Sequence, residues 1–172
     1  ADGRPRVNTE VMYDNMMNKF RYGNVNKPGI YLDENTLRMC RTHRMMFSEL
    51  AEALYEEGKH DKAIEVLDYA EEMLPGYNVS YDYTSASMAA LYYTLGEMEK
   101  GSAIMDKVAA NAVEYLAWAA SLPPIQRKSV NQSTTGHYSA VLGFVLNNLQ
   151  RFEQKELFNK YFELYNQYAS IR

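Results

Sequence analysis

Few side chains in this sequence of 172 residues could bind a metal ion or act as a nucleophile. The three histidines, His43, His60 and His137, lie far apart along the chain, without the spacing that zinc ligands show in a motif. Cys40 is the single cysteine, which excludes an internal disulfide and a zinc site built from several cysteines. The sequence therefore predicts no metal and no cofactor.

Cys40 and His43 are the best candidates for a catalytic pair, because side chains three residues apart on a helix can touch. A nucleophilic cysteine also needs an oriented base and an oxyanion hole, and the surrounding sequence indicates neither. The acidic run that begins at Glu49 is typical of a solvated helix face, and no glycine-rich phosphate loop is present. We therefore expect Cys40 to be a small buried side chain and the chain not to be an enzyme by itself.

The net charge is −4, from 18 Lys and Arg against 22 Asp and Glu. Binding to nucleic acid requires a basic surface, so we expect no nucleic-acid partner. The best basic patch consists of Lys27, Arg38, Arg41 and Arg44. It could bind an anion or a lipid headgroup. The alternative is that these cations bind backbone carbonyl groups of the N-terminal residues and the acidic helices.

Apolar residues at helical spacing, with few Gly and Pro, predict an all-α chain. Residues 1–32 are predicted to form an N-terminal arm, with a short helix over Glu10–Phe20 that Asn8 or Thr9 caps and an irregular stretch over 21–32. Residues 33–172 are predicted to form one helical domain with Asp33 as its first N-cap. Six helices are expected, at residues 34–57, 62–74, 83–95, 99–122, 137–149 and 153–170, with a linker at 125–135.

The first six residues lack the apolar core of a signal peptide, and the chain does not begin with Met. The longest uncharged stretch has only seven apolar residues at its centre, Ala140–Leu146, whereas a bilayer needs about 20. We expect a water-soluble piece of a longer protein.

The three helix pairs predict a tetratricopeptide-like array of three helical hairpins with an N-terminal arm. The first pair fits the residue sizes and the spacing of that repeat, with Phe47, Leu50, Ala51 and Leu54 followed by Gly58. The second pair fits less closely, with Met88, Ala89, Tyr92, Gly96 and Gly101. The third is degenerate, as a terminal repeat often is. The alternative is a generic bundle of helical hairpins.

In such an array the first helix of each hairpin lines a concave groove. The predicted groove positions are Met45, Ser48, Glu52 and Tyr55, then Tyr83, Ala86, Ala90 and Tyr93, then His137, Ala140, Phe144 and Asn147. This groove is aromatic and nearly free of cations, so it suits an extended or apolar segment better than a peptide carboxylate. The alternative is that the chain's own residues 21–32 fill it.

A long part of the sequence resembles a known family. Five stretches are similar to the C-terminal region of a family of bacterial multi-pass membrane proteins. They are Tyr13–Phe20, Gly23–Asn35, Leu37–Thr42, Pro75–Val79 and Tyr81–Tyr83. That family is described as a domain of unknown function and resembles glycosyltransferases of the protein O-mannosyltransferase type. The resemblance implies a domain on the periplasmic side of the membrane, following a transmembrane body that carries any catalytic residues.

We therefore predict a noncatalytic domain that binds a protein or peptide segment or positions a substrate. The partner could be the transmembrane body of the longer protein, through which alone the chain would reach the membrane. One alternative is a carbohydrate-binding domain that uses the tyrosines of residues 77–83. Another is a structural or dimerising tail with an exposed apolar patch around Phe158, Tyr161 and Tyr165.

Overall fold

The computed structural model describes residues 7–130 and 132–168, and this part of the chain contains helices but no β-strand. The predicted all-α class is therefore confirmed there. Two segments named above lie outside the described residues. They are residues 1–6, which lack the apolar core of a signal peptide, and residues 169–170, which end the last predicted helix. A six-residue π-helical segment, Asp14–Lys19, continues α1. The α-helices are α1 (Thr9–Tyr13), α2 (Glu34–Glu56), α3 (His60–Met73), α4 (Tyr83–Thr94), α5 (Met98–Ser121), α6 (Pro124–Arg127), α7 (Gln132–Arg151) and α8 (Lys155–Tyr168).

The chain divides into two compact units, the first ending at Ser80 and the second beginning at Tyr81. In the first unit, α2 packs against α3, and α1 packs against α2. In the second unit, α4 packs against α5, while α7 and α8 pack against each other and against α5. Successive helices thus pair as α2–α3, α4–α5 and α7–α8. The tetratricopeptide-like arrangement of these pairs and the domain boundary at residue 33 stay predictions.

Polar side chains fix the start of three helices. Asn8 accepts a hydrogen bond from a backbone N–H of α1, and Asp33 accepts one from the Thr36 N–H at 3.0 Å. Asp82 accepts one from the Ser85 N–H at 3.1 Å, and the Ser85 hydroxyl accepts in return from the Asp82 N–H. Such caps satisfy backbone donors that have no partner inside the helix, and they account for the sharp start of α2 and α4.

The turn inside each helix pair has the same backbone geometry. Gly58, Gly96 and Glu153 have positive φ angles of 74°, 88° and 57°. In each turn the next residue donates its N–H to the carbonyl five residues earlier, at 2.8, 2.9 and 2.8 Å. This is the hydrogen bond of a Schellman helix end, for which glycine is the usual residue. The third turn makes the same bond with a glutamate in the left-handed region.

Small residues allow the helices of a pair to approach closely. An added Cβ at Gly101 on α5 would lie 2.7 Å from the ring of Tyr93 on α4. In the first unit the buried stripes of α2 and α3 face each other. These stripes are Phe47, Leu50, Ala51 and Leu54 on α2, and Ala63, Val66, Leu67 and Ala70 on α3. The four residues on α2 are those that the repeat pattern places inside.

The structure corrects the predicted linker at 125–135. A helical turn, α6, begins at Pro124, and α7 begins at Gln132, before the predicted start at His137. After Gln132, the residues that begin α7 are Ser133, Thr134, Thr135 and Gly136, which have low helix propensity, and this is why the pattern missed the start. Further along α7, the ring of Tyr138 stacks on the ring of Tyr115 at 4.3 Å. Among the described residues, no helix is both long and apolar enough to cross a membrane.

Candidate functional site

One face of α2 remains open to solvent, and we call it the α2 ridge. Its members are spaced alternately three and four residues apart, which places them on one side of a helix. They are Arg38, Arg41, Met45, Ser48, Glu52 and Tyr55. Ser48 and Tyr55 are half-buried and the other four are exposed, Met45 by 46%. The predicted groove positions of the first hairpin and two cations of the predicted basic patch thus form one continuous surface.

The arm packs on another side of α2. The Tyr22 ring lies 5.5 Å from the His43 ring and 5.7 Å from the Phe47 ring on α2, and 6.1 Å from the Tyr69 ring on α3. On a helical wheel, Phe47 lies roughly a third of a turn and His43 roughly half a turn away from the α2 ridge. Tyr31, at the end of the arm, is 90% exposed, and Tyr13 donates a hydrogen bond to Glu65 on α3. None of these three arm tyrosines lies on the ridge.

Tyr22 is fixed in this position by more than ring packing. Its hydroxyl donates a hydrogen bond to the Met16 carbonyl at 3.0 Å. Burial, with the nearby Tyr69 adding to it, raises the pKa of Tyr22 to about 12. Further along the arm, the Asn78 side chain donates to the carbonyls of Val25 and Lys27, at 2.6 and 2.8 Å. The arm is therefore held on the first unit by its backbone as well as by Tyr22.

Two predicted groove residues of α4 belong to the core instead. Tyr93 is 1% exposed, its ring lies 5.0 Å from the ring of Phe152, and its hydroxyl bonds that of Ser102 at 3.0 Å. Ala86 is fully buried. Their assignment to a groove was wrong because it assumed a free face on α4, whereas apolar side chains surround that helix.

The other predicted groove residues of the second unit lie nearer its surface. Tyr83 is 47% exposed and packs its ring 4.7 Å from the half-buried ring of Phe144. His137 and Asn147 on α7 are exposed. The described contacts bring Tyr83 and Phe144 together, but they do not join either to His137 or Asn147.

Arg44, one of the four residues of the predicted basic patch, is not on the surface. Arg44 is 1% exposed, and its guanidinium donates hydrogen bonds to the carbonyls of Leu74, Val79 and Ser80, at 2.9, 2.7 and 2.9 Å. A guanidinium enclosed in this way cannot bind an external anion. The prediction failed because helical spacing places Arg44 near the other arginines but does not show which side of α2 the hairpin covers.

The other three cations of the patch are exposed. Arg41 forms an ion pair with Glu34 at 3.5 Å, and Arg38 bonds the side chain of Asn35 at 3.5 Å. Lys27 lies in the arm. No contact described in the structure joins Lys27 to the two arginines.

The tyrosines of residues 77–83 are engaged in separate contacts. The Tyr77 hydroxyl donates to the Asn26 carbonyl at 2.6 Å, although the ring is 65% exposed. The Tyr81 ring is half-buried, with the Lys107 ammonium 5.8 Å from its centre. Tyr83 packs on Phe144, as described above. Each ring thus has its own neighbour.

An aromatic cleft in the second unit escaped the sequence analysis. It has a volume of about 430 Å³ and lies between the end of α5 and the α6 turn. Trp118, the only tryptophan, is 51% exposed there and lies 5.4 Å from Tyr115. Gln126 and Ser129 contribute polar groups. Tyr115 and Trp118 on one helix are a detectable signal, but the polar stretch that closes the cleft has the composition of a linker.

A cavity of the first unit, which we call the arm cavity, lies between the arm and the first half of α2. Its volume is about 540 Å³. Its lining residues are Lys19, Phe20, Arg21, Tyr22, Val25, Thr36, Met39, Cys40, His43 and Leu74. Burial raises the pKa of the Cys40 thiol, against the opposing charges of Arg44 and Arg41. A thiol with a raised pKa is a poor nucleophile at neutral pH, so the cavity is better suited to binding than to covalent chemistry.

The apolar patch predicted on the last helix is exposed at a partly different set of residues. Tyr161 is 2% exposed, because its hydroxyl donates to the Asp106 carboxylate at 2.6 Å and to the Asp106 carbonyl at 2.9 Å. The apolar surface of α8 consists instead of Phe158 and Phe162, whose rings stack at 5.2 Å. Tyr165 is half-buried.

Comparison of the chain with protein-family models, with curated proteins and with solved structures finds no match. The described residues contain no group of three or more His, Cys, Asp or Glu side chains that could hold a metal ion. Function is therefore argued from the surfaces described above.

Proposed function

We propose that this chain is a noncatalytic domain that binds an extended segment of a protein along the α2 ridge. The observation that carries this proposal is the open ridge, with Met45 exposed by 46% while the arm packs elsewhere on α2. An apolar side chain flanked by charged groups on a rigid helix is a suitable surface for peptide recognition.

The charges along the ridge define the segment that fits. Arg38 and Arg41 lie at one end, Met45 near the middle, and Glu52 and Tyr55 towards the other end. From Arg38 to Tyr55 the helix rises about 26 Å, the length of an extended peptide of about eight residues. The expected ligand has an acidic residue opposite the arginines, an apolar residue opposite Met45 and a basic residue opposite Glu52.

A tetratricopeptide-like arrangement of the hairpins is part of this proposal. The three identical turns support it, since a repeated hairpin needs a repeated helix end. The close approach of helices at Gly101 supports it as well. In that arrangement the ridge belongs to the groove-lining helix of the first hairpin.

We infer the biological context from the family resemblance described under Sequence analysis. The domain would lie on the periplasmic side of a bacterial membrane, as part of a longer membrane protein that resembles a glycosyltransferase. Its partner would be a protein segment, either from the acceptor substrate or from the transmembrane body of the same protein. Any catalytic residues would lie in that body.

The proposal can be tested with random peptides of about twelve residues, selected for binding to the chain. We expect Met45→Glu to weaken the binding of selected peptides by about tenfold, measured by fluorescence polarisation. Met98→Glu on α5 is the matched control, because Met98 is 40% exposed and lies in the other unit. Equal binding to both variants, or failure to select any peptide, would refute the proposal.

A second candidate function is carbohydrate binding, which the aromatic cleft favours over the tyrosines of residues 77–83. Trp118 offers a half-exposed ring beside Tyr115, with Gln126 and Ser129 as polar partners. Because Trp118 is the only tryptophan, its fluorescence reports on the cleft directly. Titration with neutral disaccharides and trisaccharides would change this fluorescence if the cleft binds sugars, and constant fluorescence would rule the candidate out.

A further inference from the structure

The arm cavity has an apolar interior and a cationic edge. Its apolar lining residues are Phe20, Tyr22, Val25, Met39, Cys40 and Leu74. Its cations are Lys19 and Arg21, and none of the described residues that line it carries a carboxylate. Its volume of about 540 Å³ lies within the range of small-molecule sites.

The two cations differ in their pairing. Lys19 forms an ion pair with Asp14 at 2.5 Å, so its ammonium already has a carboxylate partner. Arg21 is exposed and has no hydrogen bond or ion pair with any residue that the structure describes. The free charge at the cavity is therefore that of Arg21, whose guanidinium can bind a carboxylate through two parallel hydrogen bonds.

The surrounding sequence strengthens this positive charge. Residues 14–48, which include Asp14 as the ion-pair partner of Lys19, contain six cations and three acidic residues, a net charge of +3 in a chain whose total is −4. These residues form most of the described arm and the N-terminal part of α2, which are the two walls of the cavity. Such a segregated charge attracts an anionic ligand to this part of an otherwise acidic protein.

We propose that the arm cavity binds a small amphipathic carboxylate, with its apolar body between Tyr22 and Met39 and its carboxylate paired with Arg21. The apolar body gains free energy by leaving water, and the carboxylate adds a charge-assisted hydrogen bond at the edge. A neutral analogue of the ligand lacks the charge-assisted hydrogen bond to Arg21. This site is separate from the α2 ridge, so the proposal does not depend on peptide binding there.

Isothermal titration with decanoate and with its uncharged analogue decanamide tests the proposal. We expect saturable binding of decanoate and binding of decanamide that is weaker by about tenfold. Arg21→Gln should weaken decanoate binding by about tenfold, whereas Arg21→Lys, which keeps the charge but loses the planar fork, should weaken it less. Arg38→Gln is the matched control, because Arg38 is also an exposed arginine of the basic region but does not line the cavity. Since Arg21 has no partner in the described part of the chain, its replacement leaves the fold intact.

Methionine methyl NMR locates the ligand. Met39 lines the cavity, whereas Met98 lies in the other unit. We expect decanoate to shift the methyl signal of Met39 and to leave that of Met98 unchanged. The proposal is wrong if decanoate does not saturate, if Arg21→Gln binds it as tightly as the natural chain, or if Met39 does not respond.

Discussion

At the scale of single residues, Arg44 stabilises the first unit by joining α2 to the segment that follows α3. It is fully buried and donates three hydrogen bonds to backbone carbonyls of residues 74–80. A buried guanidinium is stable only when such partners replace water, and the carbonyls in turn depend on it. The last residues of the unit are thereby fixed against α2.

Replacing Arg44 tests this role. We expect Arg44→Met to lower the free energy of unfolding by about 2–4 kcal/mol, because buried carbonyls lose their donors. Arg44→Lys should also destabilise, since an ammonium cannot reproduce the planar fork. Urea denaturation measures both, and Arg38→Met at an exposed position should change stability by less than about 0.5 kcal/mol. A similar loss at both positions would contradict the structural role of Arg44.

Asp106 makes stability depend on pH in the second unit. Burial by itself raises the pKa of this carboxyl, but hydrogen bonds from Lys160 and Tyr161 and the charge of Lys160 outweigh it and lower the pKa. A group whose pKa is lower in the folded state stabilises the fold above its unfolded pKa of about 3.9, and this stabilisation is lost as the pH falls through the folded value.

We therefore expect Asp106→Asn to destabilise the chain at neutral pH and to cost progressively less below about pH 4. Urea denaturation across this pH range measures the difference from the natural chain. Glu163→Gln on α8 is the control, because Glu163 is exposed and should show a small effect at every pH. If the loss of stability caused by Asp106→Asn is the same at every pH, the charge of Asp106 does not contribute to the stability of the fold.

At the scale of elements, the helix bounds that carry a local signal were predictable, whereas α6, the start of α7 and the degree of burial were not. The cap at Asp33 and the glycine turns at Gly58 and Gly96 are local signals, and α2 begins and ends within one residue of its predicted bounds. Burial depends on what packs against each face. Tyr93 was placed in a groove because α4 has apolar residues on all sides, so that its sequence does not indicate which face is open.

Two glycines of the repeat pattern provide a matched pair for the packing of elements. An added Cβ at Gly101 would lie 2.7 Å from the Tyr93 ring and 3.0 Å from the Ala89 carbonyl oxygen, whereas the closest atom to one at Gly143 is 3.9 Å away. We expect Gly101→Ala to destabilise by about 1–3 kcal/mol through overpacking. Gly143→Ala should stabilise by up to about 1 kcal/mol through higher helix propensity. Thermal denaturation measures the stability of both variants. Equal changes in stability for Gly101→Ala and Gly143→Ala would contradict the close approach of α4 and α5.

At the scale of the whole molecule, the sequence predicts the helical class and three helix pairs but only part of the candidate sites. The α2 ridge positions Met45, Ser48, Glu52 and Tyr55 follow from the register of the repeat pattern and could be predicted. The arm cavity could not, because Arg21 and Met39 approach each other only through the packing of Tyr22 between α2 and α3. A detectable signal was present in the cations concentrated in residues 14–48.

The central claim is that the α2 ridge is an open surface that binds an extended segment. Methionine methyl NMR tests it most directly, because Met45 lies on the ridge, Met39 lines the arm cavity and Met98 belongs to the second unit. Titration with a selected peptide should shift the signal of Met45 most and leave that of Met98 unchanged. If the peptide shifts Met39 or Met98 while Met45 stays constant, the binding surface lies elsewhere and the account of the ridge is wrong.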